Sequence, residues 1–319
     1  MSVDAQTKPR QRFEWVRDFE FGATSLVYRK TGVRVPYSKP IRQEFIAWLR
    51  YFLAVRRETR RMPGAFTIAF SPDPGRPWYQ MWSVARLAGG KLAPAAEADV
   101  VFHFEDATMS PNAPPAHKPG AKLINFGCTD ISKGRVEQAF AETFGYSLSL
   151  NPTLHIGPAV EKSELNAAHD GRIVACPVIP APGKTYQRVV DNRIEDGLIE
   201  DLRCPMVGGK IACVFVKHRP VATRFSNTNS FVKVMTAEQI FTQEEQAKIG
   251  EMSLRLGLEV GGLDVLRDRN DGRIFVVDAN KTDMGPPIAL PLQEKLKSGR
   301  MIAKTFREYV LAHFPARGA

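Results

Sequence analysis

The residues best suited to chemistry lie between Gly261 and Asn280, in the run Gly-Gly-Leu-Asp-Val-Leu-Arg-Asp-Arg-Asn-Asp-Gly-Arg-Ile-Phe-Val-Val-Asp-Ala-Asn. It reads as two strands joined by a three-residue loop of Asn270, Asp271 and Gly272, with glycine where a left-handed conformation is needed. That loop sets Asp264 directly opposite Asp278, and strand alternation groups Ile274, Val276, Asp278 and Asn280 on one face. Carboxylates facing across a ladder have β-carbons about 5 Å apart and repel each other. A basic side chain or a divalent cation must therefore compensate them. With Asn280 they form an oxygen-only donor set of the kind that holds Mg²⁺ against phosphates. The competing reading is a solvated acidic hairpin end beside Arg267 or Lys281.

The elements that must position this hairpin follow from periodicity. Phe45, Trp48, Leu49, Phe52 and Val55 recur at helical spacing in a helix predicted over Arg42 to Arg61. Strands at Phe66 to Phe70, Asp99 to Phe104 and Lys122 to Phe126, with a helix near Trp78 to Leu87, imply a parallel, Rossmann-like sheet. The loop after the first strand is no dinucleotide fingerprint, and Met109 to Pro119 is a proline-rich surface loop. A helix runs from Ser132 and Lys133 to a glycine stop at Gly145. Antiparallel strands are expected at Ala159 to Lys162, Ile173 to Val178 and Thr185 to Val190, with His169, Asp170 and Gly171 as a turn. Strands at Ile211 to Lys217 and Phe231 to Met235 follow. A helix from Gln243 to Leu256 carries a Thr242/Glu245 capping box and stops at Gly257.

In this order, helix, Leu-Gly-Leu, Gly-Leu-Asp, hairpin and Asp-x-Asn, the chain resembles the magnesium-binding end of the ATP-grasp superfamily, ATP-dependent carboxylate–amine ligases. The resemblance spans roughly Asp130 to Pro287. It implies metal ligands at Asp264, Asp278 and Asn280, and phosphate-binding lysines at Lys133 and Lys162. It implies an adenine hinge at Thr185 to Asn192, with Gln187 and Val189 bordering the base and Asp191 or Asn192 near the ribose. Glu200-Asp-Leu-Arg203 resembles the Asp-x-Arg that precedes a central strand, making Arg203 a substrate or phosphate contact. Arg224, then Arg219, are the arginines expected to stabilise charge during phosphoryl transfer. Two features depart from the family: Asp278 stands where glutamate is usual, and the loop from Ser163 to Gly171 has a single glycine. Ser163, Asn166 and His169 are the substitute donors to phosphate there.

The implied fold is α+β/α/β: a Rossmann-like N-terminal (pre-ATP-grasp) domain, then a two-subdomain ATP-grasp fold with antiparallel sheets. The division is a basic extension with an amphipathic helix (1–63), the Rossmann-like unit (64–130), a small subdomain (131–190) and a large one (191–319). The implied cofactors are ATP and Mg²⁺, with Mn²⁺ as an alternative metal. The implied reaction activates a small anionic carboxylate as an acyl phosphate for attack by an amine of an amino acid or peptide-like substrate. A small-molecule kinase and a nucleotide-binding protein without turnover are the alternatives. The Rossmann-like unit and the segment from Lys281 to Gly285 are expected to supply the acceptor pocket.

Composition narrows the remaining classes. With 44% hydrophobic and 24% charged residues, the chain is neither collagen-like, coiled-coil nor disordered. Fourteen of its 44 lysines and arginines, against six acidic residues, fall at or before Gly64. That local excess accounts for most of the net charge of +10. It suits anionic partners, but no zinc-finger or RNA-recognition signature accompanies it, so nucleic acid is not the expected ligand. No apolar run approaches a membrane span and no secretory signal is visible. Cys128, Cys176, Cys204 and Cys213 lack CxxC spacing and read as reduced thiols in a cytoplasmic protein.

Overall fold

Residues 14–314 are described by a computed structural model, except Thr31, Ala167, His169, Asn227 and Thr228. Strands β1 (Phe19–Phe21), β2 (Ser25–Tyr28) and β3 (Arg34–Pro36) form an antiparallel meander. Helix α1 (Lys39–Thr59) follows, with Ser38 as its N-cap and proline in its first turn. A parallel sheet of order β5-β4-β6-β7 comes next: β4 (Phe66–Pro72), β5 (Gly90–Leu92), β6 (Val100–Phe104) and β7 (Lys122–Ile124). Helix α2 (Gln80–Leu87) connects β4 to β5. All five residues of β6 are buried, as a central parallel strand covered on both faces requires.

Helix α3 (Lys133–Phe144) is capped by Ser132 and stops at Gly145 in the left-handed region. A small antiparallel sheet of order β10-β8-β9 consists of β8 (Gly157–Ser163), β9 (Arg172–Cys176) and β10 (Lys184–Arg188). The large sheet runs β14-β13-β11-β15-β16, with β12 on β11. Its strands are β11 (Leu198–Val207), β12 (Lys210–Ile211), β13 (Val214–Pro220), β14 (Phe231–Met235), β15 (Val260–Arg267) and β16 (Ile274–Asn280). Helix α4 (Gln243–Arg255) precedes β15 and carries both halves of the Thr242/Glu245 capping box. Helix α5 (Leu292–Leu311) follows β16. The single strand expected from Ile211 to Lys217 is in fact two, β12 and β13, separated at Ala212 and Cys213.

Burial explains how the layers meet. Leu202, Cys204, Met206, Val214, Val216, Leu263 and Val265 face α3 and α4, burying against Val136, Phe140, Ile249 and Met252. On the opposite face, Val207, Phe215, Val232, Val234 and Val260 share a core with α5, α2, α1 and the parallel sheet. Helix α1, expected in a basic extension, thus buries Tyr51, Phe52 and Val55 in this common core. All four thiols are free and buried, and burial pushes those of Cys128 and Cys213 up to about 12.

One side chain joins the parallel sheet to the large one. Asn125, fully buried after β7 with φ of 65°, accepts from Val260 N (2.9 Å) and donates to Val260 O (2.6 Å). Its own N–H donates to Glu259 (2.8 Å). Asn125→Ala strands two buried backbone groups and forces alanine into a left-handed conformation. The expected loss is about 2–4 kcal/mol of unfolding free energy by urea titration.

Candidate active site

Residues opposite one another in a ladder share a face. By the observed pairings, Asp201, Arg203, Lys217, Arg219, Asp264, Asp278 and Asn280 all lie on the face of the large sheet that α5 covers elsewhere. Where α5 covers that face it is apolar; beyond the helix it is charged. Asp264 does pair with Asp278, and Gly262 with Asn280. The route to that pairing differs from the expected one. Arg267 opposes Ile274 and Asp268 N donates to Arg273 O (2.8 Å), leaving a four-residue loop from Arg269 to Gly272. A bulge then skips Val277, because Val265 pairs with Val276 while Asp264 pairs with Asp278. Ile274 and Val276 are therefore turned to the buried α3/α4 side and do not share a face with Asp278 and Asn280.

Basic side chains compensate the two carboxylates. Arg203 Nη1 donates to Asp264 Oδ2 at 2.8 Å and Nη2 to Asp283, while Lys217 Nζ lies 3.6 Å from Asp264 Oδ1. Lys133, first residue of α3, bonds Asp278 and also donates to Asn166 Oδ1 (3.1 Å). Burial alone would raise the carboxyl pKa of Asp264; Arg203, Lys217, Arg219 and Lys133 outweigh it and hold the group at about 2. Asp283 is pushed the other way, upward, because burial outweighs Arg203. Asp264 Oδ1 is buried without a hydrogen-bond partner. A carboxylate oxygen that accepts no hydrogen bond and meets only Lys217 at ion-pair distance, beside Asp278 and Asn280, fits a hard divalent cation, although Asn280 Oδ1 already accepts from Thr282 N (2.8 Å). Among the described residues no group of three His, Cys, Asp or Glu side chains is placed to hold a metal ion.

The small sheet brings its lysine to the same place. Lys162 Nζ donates to Val277 O, the bulged residue, at 2.9 Å. Burial lowers its pKa from the usual 10.5 to about 8, partly offset by Asp278. Gln187 pairs with Val160 and so shares the face of Lys162 on the small sheet. Val189 follows β10 and Asp191 is held by Arg193 through two bonds of 2.7 Å. The three arginines separate. Arg203 sits in the middle of β11, not before it, and touches the carboxylates; Arg219 pairs with Asp201. Arg224 donates to Val190 O (3.1 Å) and Asn192 Oδ1 (3.2 Å), which places it on the expected hinge and away from the acid pair. Ser163 bonds within its own loop, and Asn166 N donates to Thr108 Oγ1 (2.8 Å); His169 lies outside the described residues. Sequence reasoning gave Asp283 only a place in the expected acceptor-pocket segment and missed its pairing with Arg203. Its only signal was its place three residues after Asn280.

No protein-family model matches the sequence, and no curated protein matches it. Solved structures do. The chain is similar to ATP-grasp ligase PsnB complexed with minimal precursor, at TM-score 0.53 and 12% identity, covering 78% of this chain and 99% of that one. A second PsnB structure, with a phosphomimetic variant of the minimal precursor, Mg and ADP, gives TM-score 0.51 and 11% identity over 79% and 99%. The chain has the ATP-grasp fold.

The small sheet reaches the large one through Lys162, whose Nζ bonds the Val277 carbonyl. Gly262 explains the glycine of the Gly-Leu-Asp run: a β-carbon there would stand 2.2 Å from Asp283 Oδ2 and 2.6 Å from Arg203 Nε. Gly262→Ala is therefore expected to cost about 1–3 kcal/mol, read by urea unfolding, through overpacking of the Arg203–Asp283 pair. Lys162 gives a pH signature. Its folded pKa is depressed, so between about 8 and 10.5 the unfolded chain binds more protons and stability rises with pH. Stability measured across this window should rise by on the order of 2–3 kcal/mol more in the native sequence than in Lys162→Met.

Proposed function

We propose that the protein is an ATP-dependent carboxylate–amine ligase acting at the charged end of the large sheet. The observation that carries this reading is the facing pair Asp264–Asp278 with Asn280 beside it, neutralised by Lys133, Arg203 and Lys217. PsnB, whose fold this chain shares, is described with Mg and ADP, which supports the same ligands here. Asp264, Asp278 and Asn280 would hold Mg²⁺, or Mn²⁺ as an alternative. When bound, the metal would offset negative charge on the phosphates and at the transferring group. Lys133 and Lys162 release Asp278 and the Val277 carbonyl to take the phosphates. Gln187 and Val189 border the adenine, with Asp191 toward the ribose. Arg203 orients Asp264 and reaches toward the anionic substrate. Arg219 and Arg224 hold the strand and hinge that frame the nucleotide.

In the proposed reaction a substrate carboxylate oxygen attacks the γ-phosphorus, the bond to the β-phosphate oxygen breaks, and ADP leaves. An amine then attacks the acyl carbon and inorganic phosphate departs with the electron pair of the broken C–O bond. The parallel sheet with α1 and α2 is the pre-ATP-grasp unit in this reading, residues 131–190 the small subdomain and the remainder the large one. No helix among the described residues is long and apolar enough to cross a membrane. Nucleotide binding without turnover is the second reading. The observation favouring it is that the segment after β8 is already docked, with Glu164 accepting from Gly134 N (2.8 Å) and Asn166 N donating to Thr108.

Asp278→Ala and Asn280→Ala should each abolish Mg²⁺-dependent stabilisation by ADP in thermal unfolding, a fall in affinity of at least about tenfold, while the ligand-free protein stays folded. Unchanged MgADP affinity in both removes the site. ADP formation that depends on an added amine identifies a ligase, and MgATP binding with no ADP formed identifies the second reading.

A further inference from the structure

A cavity of about 250 Å³ lies at the edge of the parallel sheet that β5 forms. In the order β5-β4-β6-β7 this edge is the one opposite β7, beyond which Asn125 joins the large sheet. Adjacent strands are about 4.8 Å apart, so the cavity lies in a different part of the molecule from the acid pair. Ile68 and Phe70 of β4 and Leu92 of β5 form apolar walls, and Trp82 and Arg86 of α2 line it with them. Gly90 is buried while Lys91 and Leu92 are exposed, so the cavity opens to solvent along the edge strand.

The charge in this cavity is unbalanced. Arg86 lies over the Trp82 indole, with its guanidinium carbon 4.7 Å from the ring centroid. Its Nε is buried and has no hydrogen-bond partner. Burial, with the like charge of Arg56 nearby, lowers its pKa from the usual 12.5. Lys91, the other cation of the wall, donates to Met62 O (2.9 Å), a carbonyl and not a carboxylate. Among the described residues no acidic side chain lines the cavity. By contrast Arg76, Arg203 and Arg219, which are also shielded, each hold a carboxylate. A shielded guanidinium without an acceptor is costly until one is supplied. The indole covers one face of Arg86 and leaves the in-plane N–H edge, where a planar carboxylate fits two parallel bonds. The volume is at the small end for ligand pockets, which limits the apolar part to a short chain or a single ring.

We propose that this cavity binds a small carboxylate with an apolar body, its oxygens on Arg86 with Lys91 beside them and its chain or ring against Ile68, Phe70 and Leu92. The inference goes beyond the ligase reading and does not depend on it, because no residue in it belongs to the candidate active site. The test titrates octanoate and phenylacetate into the full chain without nucleotide, by calorimetry and tryptophan fluorescence, with octanol and phenethyl alcohol as uncharged controls. At least one carboxylate should bind, and its alcohol should bind at least about tenfold more weakly. The fluorescence change should be lost in Trp82→Phe. Arg86→Gln should weaken carboxylate binding about tenfold or more. Leu92→Glu, at an exposed position, sets a competing carboxylate in the cavity and should weaken binding by a similar factor, which keeps the test decisive if Arg86→Gln does not fold. Three results each overturn the proposal: no binding of either carboxylate, an alcohol that binds as tightly as its carboxylate, or carboxylate binding unchanged in Leu92→Glu. MgADP binding is measured separately, so none of these results bears on the ligase reading.

Discussion

Two carboxylates placed opposite each other on a sheet cannot both stay ionised without positive charge between or beside them. Asp264 and Asp278 impose that constraint, and much of the surrounding structure answers it. Lys133 stands at the start of α3 beside Asp278, Arg203 occupies mid-strand in β11, and Lys217 approaches from β13. Gly262 leaves the room that Arg203 and Asp283 need. On the proposed reading these same cations are the groups that would meet a polyphosphate, so binding would exchange partners more than fill a void.

The large sheet divides one face between stability and chemistry. Val207, Phe215, Val232, Val234 and Val260 lie under α5, in the core shared with the parallel sheet. A few residues further along the same strands the side chains are Asp201, Arg203, Lys217 and Asp264. Strand alternation alone carries the apolar set into the charged set, and the reverse face buries an apolar set against α3 and α4, with the Glu200–His218 pair further along it. The site is consequently built on rigid strands, with only Lys133, Lys162 and the segment after β16 arriving from other elements.

Local signals were legible in the sequence. The capping box of α4, the glycine stop of α3, the parallel strand order and the opposition of Asp264 to Asp278 all follow from residue types at short spacing. Context-dependent features were not. The bulge at Val277 has no glycine or proline to announce it, and it corrects a loop that is one residue longer than expected, so the acid pair is met by a different route. The β1–β3 meander is too short to show periodicity; its strands have three or four residues. Helix α5 and the role of Asn125 depend on partners more than a hundred residues away, such as Val260 for Asn125. Arg224 illustrates the limit of motif order: its place in the chain points to phosphate, whereas its contacts are with Val190 and Asn192.

The four thiols are distributed in a way that has a practical use. Cys213 belongs to the core beneath α5, Cys128 and Cys204 to the core against α3 and α4, and Cys176 to the end of β9. Each is shielded, and an alkylating reagent reacts only with a thiolate that solvent can reach. Four natural reporters therefore sit in three separately packed regions. The order in which they become modified would show which layer opens first, without adding a single foreign probe.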